Sequence, residues 1–200
     1  MVATFWLLGG SAPATAAGLS LRHMDWKVVA VPGAACFRTA PIRLRGGEAL
    51  LPDPVRGNPV EPGGSGPKFD QVTEGFSPVK YGELTAGHQI AALTVSCNNN
   101  GGTADGAILY SVVIYAGWTG KLRAVGLITP KVQPTGELPT LLQVRHIGGS
   151  DIVVLENFYG PKDGTCCPSG QAVTTWRYSD GHLTSLGTTI TRKPDSHTNV

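Results

Sequence analysis

The sequence predicts an all-β protein with few or no helices. We expect an antiparallel meander of about seven to nine short strands, forming a barrel, a sandwich or a strongly curved sheet. The chain contains 27 glycines and 15 prolines, a composition that favours many turns over long helices. Apolar, β-branched runs recur between turn residues. No stretch of about 11 residues keeps helical apolar spacing without a Gly, Pro or β-branched interruption.

The first part of the chain holds two predicted strands followed by a long loop. Alternating apolar positions from Trp26 to Ala30 predict one strand, and residues 42–45, ahead of a Gly-Gly turn, predict another. Residues 52–68 then contain five prolines and four glycines, a composition typical of a mobile loop or linker. The segment before this loop is too small to bury a core alone. The loop is therefore expected inside one domain.

Strand signals come at regular spacing after residue 79. The run at 107–115 is apolar on both faces, as expected of a central strand. The last hairpin turns at Asp180-Gly181, a dipeptide favoured in tight turns. The remaining predicted strands cover 91–97, 121–129, 141–146, 152–158, 172–178 and 182–186.

The ends of the chain predict a leader and a tail around one β-rich domain at 18–190. Residues 1–17 are mostly apolar and small, and Ala14-Thr15-Ala16 has the small-x-small form of a signal-peptidase site, although no Lys or Arg precedes Arg22. They are interpreted as a remnant signal segment, which predicts export. The alternative is a disordered, Ala-rich end in a cytosolic protein. No run is long enough for a transmembrane helix, and residues 191–200 are expected to be disordered.

Four cysteines agree with an oxidising compartment. They allow three pairings, and a bond between the neighbours Cys166 and Cys167 would close a strained ring. We therefore expect Cys36 and Cys97 each to bond to one member of that pair. A zinc site is disfavoured because the chain has no C-x-x-C motif, and no cofactor or metal is predicted.

Charge excludes one class of partner. The formal net charge is +2, only 15% of residues are charged, and no basic stripe is present, so no nucleic-acid partner is expected. The expected partner is a lipid or a protein of the cell envelope.

No catalytic site is predicted from the polar residues. The five histidines show neither H-x-H nor H-x-x-x-H spacing, and the chain lacks a G-x-S-x-G elbow. Glu83 and His88 flank one turn and could exchange a proton, although a polar turn explains them more simply. Two alternatives stay open. One is a hydrolase with a dispersed site, and the other is thiol–disulfide activity of Cys166 and Cys167.

A long loop is the predicted place for partner contacts. Residues 159–170 form a Gly-rich connection that leads from Tyr159 to the cysteine pair and on to Pro168 and Ser169. Trp118 lies in a Gly-Trp-Thr-Gly turn, where a bulky exposed side chain is costly unless it packs or binds. These four residues are the candidate contacts.

Several segments together resemble the LppP/LprE-type lipoproteins of mycobacteria and related actinobacteria. They are DWKVVAVPGAAC at 25–36, YGELTAGHQIAALTVSC at 81–97, the apolar strand ending in Tyr-Ala-Gly at 115–117, and Cys-Cys-Pro-Ser at 166–169 followed by Trp-Arg-Tyr at 176–178. The resemblance spans roughly residues 24–186. It implies an envelope protein of unknown biochemical function.

The chain departs from that family at two positions. No lipobox cysteine is present, since the earliest cysteine is Cys36 after Gly-Ala-Ala, so a lipid anchor is doubtful. The family's acidic Gly-Asp-Gly loop is replaced by Ala86-Gly87-His88-Gln89, which offers no carboxylate to a hard cation. The sequence therefore predicts an exported, envelope-associated β domain with a non-catalytic binding or structural role.

Overall fold

The computed structural model describes residues 19–56, 68–75, 77–84, 88–98, 109–118, 120–132, 138–164 and 167–194. These residues form twelve β-strands and three short 3₁₀ turns, which confirms the all-β prediction. The turns are Leu21–His23, Trp26–Val28 and Gly33–Cys36. The strands are β1 Ala30–Val31, β2 Ile42–Arg43, β3 Glu48–Arg56, β4 Lys68–Glu74, β5 Lys80–Leu84, β6 His88–Asn98, β7 Leu109–Trp118, β8 Lys121–Ile128, β9 Leu141–Gly148, β10 Asp151–Phe158, β11 Gly170–Ser179 and β12 His182–Arg192.

Strands β3 to β8 form a six-stranded antiparallel sheet in the order β3-β4-β6-β7-β8, and β5 pairs with β6 beside β4. β6 and β7 lie at its centre. Because successive side chains of a strand point to opposite faces, β7 buries Val112 and Ile114 on one face and Val113 and Tyr115 on the other. The prediction that this run is a central strand is confirmed.

Strands β9 to β12 form a four-stranded antiparallel meander that packs face to face on the larger sheet. The contact is close at β5, where a Cβ on Gly82 would lie 2.4 Å from Cγ2 of Ile147 on β9. In the described residues none of the sheets closes on itself, and the two larger sheets pack on each other as a sandwich. The shared core contains Ile90, Val112, Ile114, Ile128, Leu142, Val144, Ile152, Val154 and Trp176.

The N-terminal segment covers the second face of the six-stranded sheet. Leu21, Trp26 and Val31 are buried in one cluster with Leu93 and Tyr115 of the central strands. The alternation at Trp26–Ala30 predicted a strand, but Trp26–Val28 is a 3₁₀ turn whose N-cap, Asp25, accepts a hydrogen bond from the Lys27 amide at 3.1 Å. Only the pair β1–β2 is extended there. The side-chain cap of Asp25 competes with an extended backbone, as short polar residues do.

The predicted disulfide pairing is wrong. Cys36 is bonded to Cys97, with 5.7 Å between their Cα atoms, so neither is bonded to the pair at 166–167. The turn Gly33–Cys36 places the Cys36 sulfur against β6, where Cys97 lies. Only glycine fits at position 33 of this turn, because a Cβ there would lie 2.2 Å from the Ala40 carbonyl oxygen. Cys167 lies in a connection of the other sheet and is exposed.

Several predicted boundaries fall partly on residues outside the description. The predicted loop at 52–68 contains the end of β3 and the start of β4, and residues 57–67 lie outside the described residues. β12 continues to Arg192, into the predicted tail, and 195–200 are not described. The predicted signal segment at 1–17 also lies outside the described residues. No helix in the described part of the chain is long and apolar enough to cross a membrane.

Candidate functional site

The connection between β10 and β11 carries three of the four predicted contact residues, and one carboxylate organises it. Asp163 Oδ2 accepts hydrogen bonds from the backbone amides of Gly160, at 2.6 Å, and Ser169, at 2.8 Å. The Ser169 hydroxyl donates to Oδ1 of the same carboxylate at 2.7 Å. Both ends of the connection are therefore joined through Asp163. We call residues 160–164 and 167–169 the pinned loop.

A second contact fixes the pinned loop to the sheet. Arg192 Nε donates to the Ser169 carbonyl oxygen at 2.6 Å, which connects the loop to the end of β12. Cys167 is exposed and Pro168 is half-buried, whereas Cys166 lies outside the described residues. The loop thus holds the Cys-Pro-Ser segment at the surface on a rigid sandwich, the arrangement in which loops commonly bind partners.

Two of the four predicted contact residues, Tyr159 and Trp118, lie outside the pinned loop. Tyr159 is buried, with 7% of its surface exposed, so little of its side chain is available to a partner. Trp118 is the last residue of β7, paired with Lys121 across the β7–β8 turn. Its side chain lies outside the description. The structure does not bring these two residues into one site with the pinned loop.

The hydrogen bonds that close the pinned loop also lower the pKa of Asp163. The amides of Ser169 and Gly160 and the Ser169 hydroxyl all stabilise the charged carboxylate. Since the folded pKa lies below the ordinary aspartate value of about 3.9, this stabilisation is present above that value. It is lost as the pH falls through the folded pKa.

We expect Asp163→Asn to loosen the pinned loop without unfolding the sandwich. The amide removes the charge that the two backbone amides and the hydroxyl stabilise. Hydrogen exchange of residues 160–164 and 167–169 should quicken in the variant at pH 7, and the wild type should lose the same protection only once the pH has fallen through its lowered folded pKa. Equal exchange in the two proteins at pH 7 would contradict the role of Asp163. Asp151→Asn, in the exposed ion pair with Arg177 at 2.8 Å, is the control.

A half-open groove of about 440 Å³ lies where the chain leaves the six-stranded sheet between β4 and β5. β4 pairs with β6 as far as Glu74–Val95, and β5 begins opposite Ala92, so the groove lies beside β6 at the gap between these two strands. Gly75 stays attached through its amide, which donates to the Thr94 carbonyl oxygen at 2.7 Å. The groove is lined by Asp25, Trp26, Lys27, Glu74, Gly75, Ser77, Pro78, Val79 and Leu93.

The groove combines an apolar floor with charged walls. Trp26 and Leu93 are buried, and the Trp26 indole N–H donates to the Tyr81 hydroxyl at 2.8 Å, which fixes the ring. Asp25, Lys27 and Glu74 supply charges of both signs. Such a surface can accept a small polar group. Among the described lining residues, no hydrogen bond joins a nucleophilic side chain to a base.

The histidines and acidic residues do not assemble into a catalytic or metal centre in the described residues. His23, His146 and His182 are exposed on separate elements. Glu83 is exposed on β5, and the side chain of His88 lies outside the description. The described part of the chain has no group of three or more His, Cys, Asp or Glu placed to hold a metal ion. A dispersed hydrolase site stays an untested prediction.

Sequence reasoning missed one buried carboxylate. Glu156 on β10 has no exposed surface, and its Oε2 accepts hydrogen bonds from the amides of Lys131 and Val132, both at 2.9 Å. Thr174 on β11 donates to Oε1, and its hydroxyl also meets that of Thr188 at 2.9 Å. Glu156 thus secures the connection between the two sheets. The signal was available, because positions 152, 154, 156 and 158 alternate toward the core.

In comparisons with known proteins, no family model matches this chain, no curated protein matches its sequence and no solved structure matches its fold. The resemblance to LppP/LprE-type lipoproteins stays a prediction.

Proposed function

We propose that this protein is an exported, envelope-associated domain that binds a protein or lipid component without catalysis, and that the pinned loop is its contact surface. The observation that carries the proposal is the closure of this loop by Asp163. A loop that is ordered before it meets a partner loses little conformational entropy on binding. The sandwich beneath it supplies the rigid support.

The buried disulfide supports the exported location. Cys36 and Cys97 are both fully buried and bonded to each other across the N-terminal segment and β6. Structural disulfides persist in oxidising compartments and are rare where thiols are kept reduced. The apolar leader-like residues 1–17 point to the same compartment.

Site-specific crosslinking tests the contact surface. Gly164 lies in the pinned loop with open space around its Cβ position, so a photoreactive side chain fits there without displacing a neighbour. We expect a discrete crosslinked product from position 164 in the envelope of an expressing host. No product is expected from the exposed position of Arg123 on β8. Asp163→Asn should reduce the crosslink several-fold, because a loosened loop must be ordered on binding.

Other results would overturn the proposal. Equal products from positions 164 and 123, or none from either, would reject the pinned loop as the contact surface. A crosslink that is unchanged by Asp163→Asn would reject the requirement for a preformed loop.

A second candidate function is thiol–disulfide exchange at Cys166 and Cys167. The exposure of Cys167 on the pinned loop favours it, because a small-molecule disulfide can reach a thiol there. In the reaction, one thiolate attacks a small-molecule disulfide and releases one thiol. The neighbouring thiolate then displaces the second thiol, which leaves a bond between the two sulfurs. The strain of that small ring makes the bond easy to reduce, as labile disulfides are.

Peptide mapping without reduction separates the two candidates. We expect the exported protein to contain the Cys36–Cys97 bond, which should resist mild reductant because both residues are buried. A bond between Cys166 and Cys167 that opens in mild reductant and re-forms with oxidised glutathione would support the redox function. Irreversible capping, or thiols that never pair, would reject it. Four free thiols would reject export itself.

A further inference from the structure

The groove between β4 and β5 is lined by charged residues of both signs that do not pair with one another. Asp25 and Lys27 lie at the turn Trp26–Val28, and Glu74 is the last residue of β4. In the part of the chain that the structure describes, neither carboxylate forms an ion pair with Lys27. Opposite charges that line one groove without pairing are available to a ligand.

Backbone hydrogen bonds join the two walls of the groove through Gly47. Its amide donates to the Lys27 carbonyl oxygen at 2.8 Å, and its own carbonyl oxygen accepts from the Glu74 amide at 2.7 Å. Gly47 has a φ of +94°, and a Cβ at this position would lie 3.2 Å from Cδ of Glu74. Glycine adopts this conformation at little cost and leaves room for the carboxylate. The walls are therefore held in place before a ligand binds, which lowers the entropy lost on binding.

The rest of the lining is suited to a small ligand with an apolar body. The volume of about 440 Å³ lies within the range of about 300–1,000 Å³ that is usual for small-molecule sites. The buried residues Trp26 and Leu93 form the floor, and Pro78 and Val79 add apolar surface beside it. An alkyl group that lies against this surface is removed from water, which favours binding.

We infer that the groove binds a small zwitterion with an apolar body, the chemistry that an apolar amino acid presents. The ammonium group of such a ligand is attracted by Asp25 and Glu74, and its carboxylate is attracted by Lys27. An amine without a carboxylate would be repelled by Lys27, and an acid without an ammonium group would be repelled by both acidic residues. The groove shares no residue with the pinned loop, so the inference does not depend on the proposed function.

Titration of the exported protein with L-leucine, followed by NMR, tests the ligand class. We expect saturable shifts of the backbone amides of Lys27, Gly75 and Ser77 and of the Trp26 indole N–H. Isoamylamine lacks the carboxylate of leucine, and isocaproate lacks its ammonium group. Each analogue should bind about three- to fivefold more weakly than leucine, as expected for the loss of one exposed ion pair. No shifts at the groove, or an affinity for either analogue equal to that for leucine, would overturn the inference.

Two matched variants test whether Lys27 meets the carboxylate of the ligand. Lys27→Gln should weaken leucine and isocaproate about three- to fivefold, and it should not weaken isoamylamine, because the lost charge repels an amine. Lys121→Gln removes the same charge from an exposed position on β8 and should leave all three affinities unchanged. Equal effects of the two variants on leucine, or weaker isoamylamine binding in Lys27→Gln, would overturn the inference. Unchanged thermal unfolding confirms that each variant is folded.

Discussion

Replacing Glu156 by alanine is expected to destabilise the protein by about 3–5 kcal/mol, the largest effect of any single substitution considered. The carboxylate accepts two backbone amides, from Lys131 and Val132, and the hydroxyl of Thr174, all away from water. Alanine would leave these donors buried without acceptors and would open a cavity between the sheets. Urea unfolding, followed by circular dichroism, measures the change.

Two variants make that result specific. Glu156→Gln keeps an oxygen for the two amides and a nitrogen that can donate to Thr174, so it should cost about 1 kcal/mol. Glu83→Ala removes an exposed carboxylate on β5 and should stay within about 0.5 kcal/mol of wild type. If alanine and glutamine at 156 destabilise equally, the loss comes from the charge and not from the hydrogen bonds.

Replacing Cys36 and Cys97 together by alanine is expected to cost about 4 kcal/mol. The bond closes a loop between residues separated by 61 positions, and the chain-entropy relation gives that magnitude for a loop of this length. The N-terminal segment should lose protection first, because the bond attaches it to β6. Urea unfolding of oxidised wild type and the double variant measures the difference.

The matched control is the double replacement of Cys166 and Cys167 by serine. Since these two residues take no part in the bond between Cys36 and Cys97, their loss should change stability by less than about 1 kcal/mol. A large loss in both double variants would instead fit the pairing predicted from the sequence.

The parts of the fold that were predictable are those whose neighbours in space are also neighbours in sequence. The run at 107–115 read as a central strand because every position is apolar or small, and β7 is buried on both faces. The hairpin β11–β12 was predicted at its Asp180-Gly181 turn, and both turn residues have positive φ there. Local turn chemistry and period-2 alternation were sufficient at these places.

The failures involve contacts across long sequence separations. Alternation at Trp26–Ala30 is compatible with a strand, but the Asp25 cap and the packing of Trp26 on Tyr115, at a ring separation of 5.4 Å, select a 3₁₀ turn. The predicted disulfide pairing was wrong for the same reason. Nothing in the spacing of four cysteines says which face of which sheet each sulfur reaches.

The candidate site was predicted as a location and not as a mechanism. Length, glycine content and the Cys-Cys-Pro-Ser segment drew attention to residues 159–170, and the structure places three hydrogen bonds on one carboxylate there. The organising residue, Asp163, carried no signal, because one aspartate in a loop is common. The groove beside β4 could not be predicted from the sequence either, because its walls come from segments about 50 residues apart.

The positions of the four cysteines also bear on how the oxidised chain matures. In a chain that emerges amino end first, Cys36 and Cys97 are both available before residues 166 and 167 have appeared. The native bond can therefore form while no competing thiol is present, and it needs no later reshuffling, which is slow when uncatalysed. Refolding of the full-length reduced chain lacks this temporal order. Mispaired forms should then be more abundant than after synthesis, even though the final structure is the same.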